Sequence, residues 1–118
     1  MTTNFPQRHQ ELQGLLGRLA KELPGPIGGF GRLHKESVAQ GTVPAKFKEL
    51  MALAIAIAVR CEGCIAYHVH DAIAAGANRQ EILEAIGVAI MMGGGPAAMY
   101  ACDAFSALEQ FESEKKQS

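Results

Sequence analysis

The stretch Leu50 to Val59, written LMALAIAIAV, is continuously apolar and constrains the fold more than any other segment. From Ala52 to Val59 small and large residues alternate with period two, which is a strand signature. Every alternate residue is alanine, however, and alanine favours helices and disfavours strands. The run also continues from Lys46-Phe47-Lys48-Glu49 without a turn signal. It therefore reads as a helix apolar on nearly every face, and such a helix has to be surrounded by other elements. At about half of the ~20 residues a bilayer-spanning helix needs, it is too short to cross a membrane.

The flanking sequence supplies candidate neighbours. Leu12, Leu15, Leu16, Leu19 and Leu23 recur at helical spacing, which predicts an amphipathic helix from about Pro6 to Leu23, stopped by Pro24-Gly25-Pro26. A short helix is expected through Phe30, Leu33 and Val38, with Gly25, Gly28, Gly29 and Gly31 read as a loop before it. Thr42 or Val43 would cap the apolar helix, with Pro44 in its first turn. Arg60 to Gly63 reads as a break, followed by a helix from Cys64 to about Ala75 that Gly76 closes.

Asn78-Arg79-Gln80-Glu81 is a variant capping box that opens a further helix. Gly93-Gly94-Gly95-Pro96 divides that helix from a last one, as a tight turn where backbones approach closely. The polar end, from about residue 112, is expected to fray. The sum is an all-α fold of about six helices in a single domain spanning residues 1–118. The low aromatic share of 6% and the absence of Trp agree, because the apolar mass is then mostly Ala, Leu, Ile and Met. Covering the apolar helix within 118 residues is difficult, so self-association is expected. A net charge of −1 gives no reason to expect nucleic acid or an anionic membrane as partner. The N-terminal sequence lacks the pattern of a secretory signal, and a cytoplasmic location is the expectation.

Chemistry concentrates in Arg60 to His70, RCEGCIAYHVH, which holds two of the three cysteines and two of the four histidines. Cys61 and Cys64 are spaced for a reversible disulfide at a helix start, where backbone N–H groups and the macrodipole favour a thiolate. His68 lies four positions after Cys64 on the same helical face and can accept a thiol proton. Glu49, on an otherwise apolar helix that runs into the cysteine turn, needs a partner, because an unpaired buried charge is costly. Zinc is a competing explanation, since Cys61, Cys64, His68 and His70 include the sulfur and nitrogen ligands it favours. Yet His68 and His70 point about 200° apart on a helix, so only one can face the cysteines. His70 is then a surface or interface histidine, His9 and His34 are solvated, Cys102 is a small core residue and Glu62 is exposed. Tyr67 is read as packing, and the methionines as core or interface filler. No cofactor or metal is assigned.

Glu49, Cys61-Glu62-Gly63-Cys64 and His68, followed by DAIAAG and by a capped helix ending in GGGP, resemble the AhpD-like alkylhydroperoxidase family of the carboxymuconolactone decarboxylase superfamily. The resemblance spans roughly Pro44 to Phe105. It implies an all-helical fold assembling as trimers or hexamers, and reduction of small hydroperoxides through a thiol–disulfide couple. Cys64 would be the peroxidatic cysteine, Cys61 the partner that closes the disulfide and meets a dithiol or redox-protein reductant, and Glu49 with His68 a proton relay. The chain departs from the best-studied branch at Gly63, where that branch has histidine. A non-catalytic zinc-binding or assembly module, and a lactone decarboxylase-type enzyme using Glu49 and His68 as acid and base, are the alternatives.

Overall fold

A computed structural model describes residues 3–117 and contains helices α1 (Phe5–Glu22), α2 (Pro24–Val38), α3 (Ala45–Ala58), α4 (Glu62–Ala74) and α5 (Arg79–Gln117), with no strand among the described residues. Gly94 interrupts α5 with φ 71° and ψ −152°, so α5 is two helical segments and the arrangement comes close to the six helices expected. The polar end does not fray: α5 stays helical to Gln117. On length and composition α5 could span a bilayer, but Gly94 breaks it and Ala97, Ala101, Ala104, Ala107 and Leu108 pack into the core.

The apolar run forms helix α3, as its alanines demand. Leu50, Leu53, Ala56 and Ile57 point inward and join Ile65, Val69, Ile82 and Leu108 in one cluster. Burying each large side chain of that set contributes about 1.5–3 kcal/mol. The opposite side of α3 is open: Met51, Ile55 and Val59 are more than half exposed.

Three boundaries differ from expectation. Pro24-Gly25-Pro26 ends α1 but also begins α2, with Leu23 as the only residue between them. Pro24 sits at the first helical positions, where its missing N–H would have had no partner, and the glycines read as a loop lie inside α2. Pro44 is itself the cap of α3, and the Ala45 N–H is satisfied by the Gln40 side chain at 2.9 Å. Helix α4 begins at Glu62, two residues early, because Gly63 is accommodated within its first turn.

The leucine stripe of α1 is also not buried as a core stripe. Leu15, Leu16, Leu19 and Leu23 are 42–50% exposed, and the buried residues of α1 are Phe5 and His9. Helix α2 buries none of its residues. Gln110 of α5 holds the chain start in place, accepting from the Phe5 N–H at 2.7 Å and donating to the Thr3 carbonyl at 2.9 Å. The capping box forms as read: the Glu81 N–H donates to Asn78 Oδ1 at 2.8 Å and the Asn78 N–H to Glu81 Oε1 at 2.9 Å.

Candidate functional site

The α3–α4 turn is built by backbone bonds before any side chain contributes. The Cys61 N–H reaches back to the Ala56 carbonyl at 3.0 Å and the Arg60 N–H to Ile57 at 3.2 Å. This is the Schellman pattern, and its left-handed position is filled by Arg60, φ 63°, rather than by the usual glycine. The reversal delivers Cys61 to the N-cap of α4, where its Sγ accepts from the Cys64 N–H at 3.2 Å. Cys64, one turn in, packs against the core, and the two cysteines are joined in a disulfide with Cα atoms 5.2 Å apart. Glu62 between them is exposed.

Beneath this turn, Glu49 on α3 and His68 on α4 meet. Glu49 is 6% exposed, and its Oε1 lies 2.9 Å from His68 Nδ1. A carboxylate oxygen only accepts, so the imidazole donates from Nδ1 and its Nε2 lone pair is left for another group. The buried acid therefore has the partner its position requires. The pair fixes the orientation of an imidazole on the same helix as Cys64, one turn further in.

Other polar residues take unexpected places. His9 is buried rather than solvated, stacked on His70 with ring centroids 4.1 Å apart and edge-on to Tyr67 at 4.6 Å. Burial of Tyr67, and after it the Asp71 charge, pushes its phenol pKa up. His34 is exposed, yet its ring lies 5.9 Å from that of His68. Cys102 is not a core residue; it is exposed, with its Sγ 3.5 Å from the Ala98 carbonyl. The four-residue zinc set of the sequence does not assemble, because Cys61 and Cys64 are bonded to each other and His70 turns to Asp71. Among the described residues two other groups bring donor atoms within 4.8 Å of one another: His9, His70 and Asp71, and His34, His68 and Asp71. Sequence reasoning missed His9 and Asp71. The available signal was spacing: His9 follows Phe5 by four and precedes Leu12 by three, on the apolar stripe of α1.

Gly63 has a structural reason. A Cβ at that position would stand 3.0 Å from Leu12 Cδ1, so helix α1 lies against the cysteine turn where a side chain would otherwise project.

Comparison with known proteins places this arrangement. Residues 28–107 match the carboxymuconolactone decarboxylase family. An uncharacterised protein of Cupriavidus necator is 35% identical over 106 residues, covering 90% of this chain and 94% of that one. A carboxymuconolactone decarboxylase family protein of Legionella pneumophila superposes with a TM-score of 0.86 at 38% identity, covering 91% of this chain and 96% of the other. A Thermotoga maritima family member, for which involvement in an antioxidative response has been suggested, gives a TM-score of 0.75 at 30% identity, covering 79% and 96%.

Proposed function

Because the chain belongs to the carboxymuconolactone decarboxylase family, we propose that it is a cysteine-based antioxidant oxidoreductase that reduces small alkyl hydroperoxides. The observation that carries the reading is the buried Glu49–His68 hydrogen bond of 2.9 Å on the two helices flanking the Cys61–Cys64 turn. The suggested antioxidative role of the Thermotoga maritima relative points the same way.

In the reduced protein His68, oriented by Glu49, takes the thiol proton of Cys64, and the helix start favours the thiolate that results. The thiolate attacks the distal oxygen of the hydroperoxide. The O–O bond breaks, the alcohol leaves with a proton returned through His68, and Cys64 becomes a sulfenic acid. The Cys61 thiol condenses with it, releasing water and closing the disulfide. A dithiol or redox-protein donor then gives two electrons and two protons by thiol–disulfide exchange to restore both thiols. Such a cycle fits a reducing cytoplasm, the location proposed here.

Catalysis is proposed to take place in a homo-oligomer, a trimer or a hexamer. The outer residues of α3, the leucines of α1 and Met91, Met92 and Met99 of α5 expose more apolar surface than a lone chain is expected to leave in water. Peroxide consumption with a dithiol donor tests the assignment. Turnover that disappears in Cys64→Ser supports it, and undiminished turnover in that variant removes it.

A further inference from the structure

Between α1 and α4, His9, His70 and Asp71 form a second cluster that the peroxidase chemistry does not use, although Asp71 also brings an oxygen within 4.8 Å of His68 and His34. His9 comes from α1, outside the family-matched span of residues 28–107. It is 5% exposed, and its Nε2 has no hydrogen-bond partner among the described residues. A buried imidazole nitrogen without a partner is costly, so something is expected to meet it. His70 Nδ1 lies 2.9 Å from Asp71 Oδ1, which makes Nδ1 the donor and leaves the His70 Nε2 lone pair open. Donors 2.9 Å apart are already spaced as two ligands of one ion, which would take the place of the proton they share.

We propose that His9, His70 and Asp71 form a site for a borderline divalent transition ion of the zinc class. Two imidazoles and a carboxylate are a ligand set this ion accepts, with water at the fourth position. One donor atom from each residue already lies within 4.8 Å of the others. Tetrahedral coordination with bonds of about 2.0–2.1 Å needs donors about 3.3 Å apart, so a shift of at most about 1.5 Å closes the site. His70, with 41% of its side chain exposed, has room to turn from its stacked position. The carboxylates of Asp71 and Glu114 both act on His9 with negative charge that a dication would offset. The ion would clasp α1 to α4, the helix that carries Cys64 and His68. The site is independent of the thiol pair, and its test does not require peroxidase activity.

The test is titration of chelator-treated Cys61→Ser/Cys64→Ser protein with Zn²⁺ by calorimetry, and with Co²⁺ by visible absorption. One equivalent is expected to bind, with the spectrum of a low-coordinate nitrogen–oxygen site. His70→Ala, at a partly exposed position, abolishes binding, and so does Asp71→Ala; His34→Ala leaves it unchanged. His9→Phe keeps a ring in the packed position and abolishes binding while retaining wild-type helicity by circular dichroism. No binding by the Cys61→Ser/Cys64→Ser protein at micromolar zinc overturns the proposal. So does binding that survives His70→Ala, or binding that is lost in His34→Ala.

Discussion

Glu49 and His68, nineteen positions apart in sequence, share a 2.9 Å hydrogen bond between two helices that also meet at the cysteine turn. The bond crosses the α3–α4 packing, so a residue of the apolar helix determines how the imidazole one turn along α4 from Cys64 is held. Replacing Glu49 by Gln keeps the shape and removes the carboxylate. We expect kcat/KM for peroxide to fall about 10²-fold or more, in the range of a lost acid–base group. Steady-state kinetics read the effect, and a value within twofold of wild type would remove Glu49 from the relay.

The two cysteines should fail differently. Cys64→Ser loses peroxide reactivity altogether. Cys61→Ser still reacts once, leaving a sulfenic acid that dimedone traps and intact mass spectrometry detects as one added oxygen. The reverse pattern would exchange their roles.

The capping box gives a pH signature. The Glu81 carboxyl is held below its ordinary range, first by the Asn78 backbone N–H and next by the Lys46 side chain. A depressed acid stabilises the fold above its unfolded-state value and loses that stabilisation as pH falls through the folded one. The Tm gap between wild type and Glu81→Gln is therefore widest near neutrality and closes in acid below the carboxylate range. Thermal scans across pH measure it; a gap that widens in acid contradicts the assignment.

Gly94 and Gly95 are adjacent but should respond in opposite ways. At φ 71° and ψ −152°, Gly94 occupies a region essentially closed to residues with a side chain, and Gly94→Ala is expected to cost about 1–3 kcal/mol in urea denaturation. Gly95 has open space where its Cβ would stand and no left-handed φ. Gly95→Ala should be neutral or add about 0.5–1 kcal/mol.

Assembly can be tested on the outer side of α3. Ile55 is 61% exposed and Met51 is 53% exposed. Ile55→Glu with Met51→Glu should shift the sedimentation coefficient to that of a single chain without loss of helicity. An unchanged coefficient would place the contact elsewhere.

The sequence revealed helix identity and local chemistry better than it revealed which way apolar residues face. Alanine's propensity decided α3 against the period-two pattern. The Asn78–Glu81 box was readable because capping is a contact between residues three apart. The Cys61–Cys64 pair was readable because helical spacing sets it, whereas Glu49 with His68, on two different helices, was readable only from the family resemblance and from the need of a buried acid for a partner. The exposure of the α1 leucines was not readable, because periodicity marks an apolar stripe without saying whether its own core or another surface covers it. His9 was missed for a related reason: composition treats histidine as polar, while its place one turn from Phe5 carries it inside. Helix α2 was begun too late because glycine propensity opposed a helix that Pro24, placed at its first turn, starts.

Helix α3 is a single stiff rod. Its inner rungs include Glu49 and Leu53, and its outer rungs Met51 and Ile55. In the proposed oligomer a neighbouring molecule on the outer rungs would bear on the same rod that carries the carboxylate. Chemistry in the interior and company at the surface would then share one lever, and diluting the proposed oligomer until its copies part should slow each remaining chain.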